Sequence, residues 1–171
     1  LFVVKHLTGN EALAPEGYTL QVTSTGVTVG ATTAAGCYYA FQTVKKLLPP
    51  HVMAGVPDET VTEYALPVVD IADEPRFPYR GFMLDVGRKF FTLDYLKQQI
   101  KVMSFYKMNE FQIHLNDNGF KQFFENDWDK TYAAFRLESD TYPGLTARDG
   151  HYTKKEFIDL QILGENNYVE V

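Results

Sequence analysis

Cysteine occurs once in the 171 residues, at Cys37, which excludes an intrachain disulfide and a cysteine metal cluster. A single thiol leaves the redox compartment open. There is no basic run, and a formal net charge of −6 argues against a nucleic-acid partner. No apolar run approaches the roughly 18 residues of a membrane span, so no span is expected. Nor is there a signal-peptide pattern: the chain opens at Leu1 in what reads as mid-domain sequence, so export is not excluded. No internal repeat is found. What is present is a globular composition, 45% hydrophobic and 15% aromatic, with enough residues to bury a real core in one domain or two small ones. An exposed aromatic ring can stack on a sugar, but packing inside a core is its commoner use.

The first part of the chain reads as strands followed by a helix. Residues 1–5 suggest a strand entered without its beginning. In residues 17–23, Tyr18, Leu20 and Val22 alternate with Thr19 and Gln21, and Ser24-Thr25-Gly26 offers a hairpin connection into residues 27–29. Thr32 or Thr33 is placed to cap a helix with Cys37, Tyr38, Phe41, Val44, Leu47 and Leu48 on one broad face, and Pro49-Pro50 stops it. Residues 60–71 read as strand again, with Pro67 at an edge or strand end. This predicts a small α+β layer domain over residues 1–72. His6 and His51 stand alone, and a solvated or hydrogen-bonded role is expected for both.

Residues 72–78, ADEPRFP after the preceding isoleucine, form a proline-punctuated link. Beyond it, residues 81–86 are a short apolar run, the pattern of a strand buried on both faces of a parallel sheet. Thr92 can cap a helix carrying Asp94 in its first turn, and Leu93, Leu96, Ile100 and Met103 mark its buried face. Phe111, Ile113 and Leu115 then alternate with Gln112 and His114 as a second strand. Strand, helix and strand make a βαβ unit, and the carboxyl ends of its parallel strands share one face of the fold. Asp85 and Arg88 end the first strand; His114, Asn116 and Asp117 end the second. That common mouth is the functional signal.

A long segment from residue 116 to about residue 152 reads as loop, rich in aromatic and charged residues (FKQFFENDWDKTYAAF), and is expected to form a pocket wall. Thr153-Lys154-Lys155-Glu156 is a capping-box pattern that opens a second helix through residue 163; Gly164 is expected to end it, and residues 167–171 to begin a third strand.

RGFMLDVGRKFF, KMNEFQIHLNDN and FRLESDTYPGLTARDGHYTKKEF together resemble the opening of the catalytic barrel of family 20 glycoside hydrolases, the β-N-acetylhexosaminidases. The shared pattern is a strand ending in Asp-x-x-Arg, then a strand ending in His-Leu-x-Asp. EGYTLQVTSTGVTVGATTAAGCYYAFQTVKKLL resembles the non-catalytic domain that precedes that barrel. The fold implied is α/β: an α+β domain (1–72), then the first three βα units of a (β/α)₈ barrel (73–171). Such a barrel typically needs about 250 residues, so the rest of it is expected outside this chain. Asn118 replaces a second Asp of many members, and Gly119-Phe120 replaces a Gly-Trp pair. The Asn form resembles a subgroup of bacterial surface hexosaminidases and lacto-N-biosidases.

The family is an exception to two-carboxylate glycosidase chemistry. The resemblance implies that the substrate's acetamido oxygen attacks the anomeric carbon, while a glutamic acid protonates the leaving oxygen and a neighbouring aspartate steadies the acetamido group. That Asp-Glu pair lies on a later strand and is expected outside this chain, which alone is expected to be inactive. By the same resemblance Arg88 holds sugar hydroxyls, and Asp117 works through a histidine of a later loop on the catalytic acid. On the residues alone, the structural alternatives are a salt bridge with Asp85 for Arg88 and an Asx turn for Asp117. His114 is placed either to contact ligand or to brace the loops, and Asp85 and Arg80 to hold strand ends. Asp85, His114 and Asp117 lack metal-ligand spacing, so no metal is expected, and no cofactor. A nucleotide-binding βαβ is disfavoured, because DVGRKF offers one glycine where a phosphate turn needs several. The alternative is a non-catalytic carbohydrate-binding α/β domain. The expected partner is a glycan carrying N-acetylhexosamine, met outside the cell, at its surface or in the periplasm.

Overall fold

The computed structural model describes residues 1–56, 58, 60–61, 63–117, 121–127, 130 and 135–171. It divides into two compact units, Leu1–Pro78 and Tyr79–Val171. Among the described residues no helix is long and apolar enough to cross a membrane.

The first unit is a four-stranded mixed sheet with helical cover. Its strands are β1 (Phe2–His6), β2 (Tyr18–Thr23), β3 (Gly26–Ala31) and, after helices α1 (Ala34–Leu47) and α2 (Pro50–Met53), β4 (Val69–Asp73). The order is β1-β3-β2-β4, with β1 parallel to β3 and the other pairs antiparallel. β2 buries Tyr18, Leu20 and Val22 on its inner face, as the alternation predicts, and α1 packs on β2 and β3. Tyr18 ties the layers together: its hydroxyl lies 2.6 Å from Thr43 Oγ1 and donates to Asp73 Oδ2 at 2.7 Å.

Two local expectations for this unit need correcting. The buried face of α1 is Gly36, Tyr39, Ala40 and Gln42, whereas Phe41 is exposed and stacks on Phe2. Small residues decide this, because a Cβ at position 36 would run into the Gly17 carbonyl. The helix therefore approaches along its Gly36-Ala40 stripe, with Tyr39 and Gln42 buried beside it and Phe41 left outside. The strand expected over 60–71 begins only at Val69. Asp58 instead gathers the next residues into a turn, accepting from Thr60 N at 3.0 Å and Thr60 Oγ1 at 2.6 Å. Thr62 lies outside the described residues.

The second unit begins with β5 (Gly81–Asp85), α3 (Leu93–Phe105) and β6 (Glu110–His114). β5 and β6 pair in parallel, with Asp85 opposite His114. Thr92 caps α3 by accepting from Tyr95 N, and Leu96, Ile100 and Met103 face the core as their spacing predicts. Helix α4 (Lys154–Glu165) starts in the expected capping box. Val86, Leu96, Ile100, Met103, Phe111, Tyr152, Leu160 and Val169 form one buried cluster. β5 is less buried than its sequence suggests: Met83 is 54% exposed, and among the described residues the strand pairs with β6 alone.

Both helices of this unit end in the same way. Lys107 (φ 59°) and Tyr168 (φ 55°) take the left-handed conformation. Met108 N donates to Met103 O and Val169 N to Gly164 O, each five residues back, satisfying orphan carbonyls in Schellman fashion. Gly164 thus lies inside α4 and does not end it. Its hydrogen atom makes room for the Val169 carbonyl, which a Cβ would strike. The third strand is reduced to one parallel bridge, Glu110 to Glu170, flanked by Phe111 N to Glu170 O (2.7 Å) and Glu170 N to Asn109 O (2.9 Å).

Candidate active-site mouth

The ends of β5 and β6 are stitched together by backbone. Val86 N and Gly87 N both donate to the His114 carbonyl, each at 3.1 Å. Gly87 then lies against the other strand end, where a Cβ would sit 2.9 Å from Asp117 N and 3.0 Å from Asn116 C. Only a glycine permits that approach, and it brings Arg88 to Asp117.

Four side chains meet there. Asp85 accepts from Arg88 N at 3.0 Å and from Arg88 Nη1 at 2.7 Å, so one carboxylate fixes both the turn and the guanidinium. Arg88 Nη2 lies 2.8 Å from Asp117 Oδ2, and His114 Nε2 lies 3.0 Å from the same oxygen. Asp85 and Asp117 are about one-fifth exposed, whereas the Arg88 and His114 side chains are 46% and 40% exposed. The carboxylates form a floor, and the cation and imidazole stand above it. Ion pairs this open are screened and add little stability, typically about 0–1 kcal/mol, so orientation is their larger effect. Arg80, also at a strand end, points elsewhere: its Nε donates to the Lys107 carbonyl at 2.6 Å, at the opposite end of β6.

Asp85, Arg88, His114 and Asp117 are therefore brought together, and the Asp85–Arg88 salt bridge, the structural alternative for Arg88, forms. Asn118 and the Gly119-Phe120 pair lie outside the described residues, as does much of the expected aromatic wall; residues 121–127 are described and open with a short 3₁₀ turn, Lys121–Phe123. Beyond it the chain is not simple loop. Phe135 bridges to Thr146 and Leu137 to Tyr152, and Arg136 N donates to Leu115 O at 2.9 Å.

That return brings in a residue the sequence did not flag. The Arg136 side chain is fully buried. Nε donates to Val86 O at 2.8 Å, Nη2 to Gly87 O at 2.9 Å and to Asp149 Oδ2 at 3.2 Å, and Nη1 to Gly150 O at 2.9 Å and to Asp149 Oδ1. Nearby, Tyr152 donates to Phe91 O at 2.6 Å, and burial holds its phenol neutral, pushing it up to about 12 against the pull of Arg136. The available hint was FRLES itself, a cation between apolar residues in strand-like alternation.

The family model for the catalytic domain of glycosyl hydrolase family 20 matches residues 77–171, and that for the family's domain 2 matches residues 3–74. The chain belongs to glycosyl hydrolase family 20. A beta-hexosaminidase of Porphyromonas gingivalis is 32% identical over 171 residues, covering 93% of this chain and 20% of that protein. One from Vibrio vulnificus is 33% identical over 134 residues, 78% of this chain and 13% of the relative. Among solved structures, the Streptomyces plicatus N-acetyl-beta-hexosaminidase in complex with Thio-NAglucal aligns over 99% of this chain and 32% of its own. Its TM-score is 0.79 at 29% identity. The chain thus spans about a fifth of the first relative and a third of the solved chain. Its second unit is the opening of the family's barrel, and the mouth at the ends of β5 and β6 is on the side where such barrels carry their chemistry.

Proposed function

We propose that the whole protein is a β-N-acetylhexosaminidase hydrolysing terminal β-linked N-acetylhexosamine with retention, and that the mouth holding Arg88, His114 and Asp117 binds the terminal sugar. The observation that carries this reading is the fixed guanidinium of Arg88, half exposed at a barrel mouth and steered by Asp85 and Asp117. A planar fork held in this way donates to two adjacent hydroxyls at once. The names borne by the relatives support the activity.

In this reading the substrate's acetamido oxygen attacks the anomeric carbon and forms an oxazoline, while a glutamic acid outside this chain protonates the departing oxygen. Asp117 is the supporting carboxylate: it anchors Arg88 and orients an imidazole, both through Oδ2. His114 faces the ligand beside it. Arg88 contributes charge-assisted hydrogen bonds, each worth about 1.5–3 kcal/mol.

The test is Arg88→Ala in the whole protein with a chromogenic N-acetyl-β-glucosaminide. Loss of one such bond lowers kcat/KM by roughly 10- to 150-fold, and of two by more. Arg88→Lys recovers little, because an ammonium lacks the fork. Near-normal kinetics with a lowered unfolding midpoint would reduce Arg88 to a structural ion pair.

A further inference from the structure

We infer that Arg136 is a positioning residue for this reaction, acting through Arg88; the inference rests on the reading of Arg88 as the sugar-binding cation. A guanidinium carries five N–H donors. Here they meet the carbonyls of Val86, Gly87 and Gly150 and both oxygens of Asp149. Val86 and Gly87 are the two residues that lead into Arg88. Their peptide groups are held from both sides: the amides donate to the His114 carbonyl, and the carbonyls accept from Arg136.

The backbone of Arg136 acts on the other half of the mouth. Its N–H donates to Leu115 O at 2.9 Å, two residues before Asp117, and its carbonyl accepts from Tyr152 N at 2.7 Å. One residue therefore spaces the approach to Arg88 and the approach to Asp117. Gly87 leaves no slack between them, since even a methyl group there would crowd Asn116 and Asp117. A displaced clamp must move Arg88 relative to the carboxylate that aims it.

A buried cation this well paired has a simpler explanation, that it only holds the loop in place. Kinetics separate the two, because a purely structural role changes how much enzyme folds, not kcat/KM of the folded enzyme. Arg136→Lys keeps the charge but offers three donors in a tetrahedral head, which cannot span both carbonyls and the Asp149 carboxylate.

The experiment measures kcat/KM of active-site-titrated whole protein on a chromogenic N-acetyl-β-glucosaminide for Arg136→Lys, Arg88→Ala and the double variant. Arg136→Lys should lower kcat/KM by about 10- to 100-fold, as small displacements of reacting groups do. In the Arg88→Ala background the same substitution should cost no more than about twofold, because the residue it acts through is gone. Equal losses in the two backgrounds, or no loss in either, overturn the inference. If Arg136→Lys does not fold, Asp149→Asn takes its place: it loosens the clamp from its partly exposed side and must show the same background dependence. Arg88→Ala measured alone keeps the two readings apart. A large effect there with none from Arg136→Lys or Asp149→Asn sinks only the role of Arg136; normal kinetics of Arg88→Ala sinks both.

Discussion

Gly87 and Tyr152 show how single residues set the mouth from outside it. Gly87 has no side chain, and its value is the space it leaves for Asn116 and Asp117. Tyr152 is a core residue, with its ring beside Phe90 and its hydroxyl on the Phe91 carbonyl, which anchors the segment between Arg88 and α3. Its phenol is raised from an ordinary value of 10.0 to about 12, chiefly by burial. A folded value above the unfolded one means a contribution fully present below about pH 10 and lost as the pH rises toward 12. Tyr152→Phe should abolish that alkaline loss while lowering stability at neutral pH by about 0.5–1.5 kcal/mol, because the Phe91 carbonyl loses its donor. Denaturant midpoints of the two proteins between pH 7 and 12 check this, and parallel curves would refute it.

At the scale of elements, helix starts carry local stability that can be titrated. In the capping box of α4, Glu156 Oε2 accepts from Thr153 N at 2.8 Å and Thr153 Oγ1 at 2.9 Å, while Glu156 N donates back to Thr153 Oγ1 at 3.1 Å. The backbone hydrogen bond from Thr153, then the hydroxyl, hold the Glu156 carboxyl below its ordinary 4.5. The folded value is the lower one, so the stabilisation is present above the unfolded value and lost as the pH falls through the folded one. Thr153→Ala should cost about 0.5–2 kcal/mol at pH 7. The advantage of wild type over Glu156→Gln should fade in acid, and an advantage that persists there would place the effect in packing. The helix ends are tertiary in character by comparison: Lys107 and Tyr168, neither a glycine, hold left-handed conformations because the chain must turn at once into β6 or toward Glu170.

For the whole molecule, the second unit has among its described residues a two-stranded parallel sheet extended by the Glu110–Glu170 bridge, where the family 20 barrel closes eight strands. In the proposed function the mouth supplies Arg88 to bind the sugar and Asp117 as a supporting carboxylate, and the acid comes from a later strand. The 171-residue chain alone should therefore show no turnover of a chromogenic N-acetyl-β-glucosaminide. Hydrolysis above a heat-killed control would mean that the catalytic residues have been misassigned.

What the sequence determined by itself was whatever depends on neighbours a few residues apart. The caps at Thr33, Thr92 and Thr153, the buried face of α3, the alternation in β2 and β6, and the strand-end placement of Arg88, His114 and Asp117 all follow from spacing and local hydrogen-bonding chemistry. The tertiary structure decided what depends on distant partners. The face of α1 was set by the close approach of Gly36 to Gly17, and the third strand shrank to a bridge because Glu170 alone meets β6. Arg136 was invisible as a site residue because its side-chain partners at Val86 and Gly87 lie 50 and 49 residues away. A charged residue in sequence ordinarily signals surface, and its burial here goes with five acceptors that meet all the guanidinium donors.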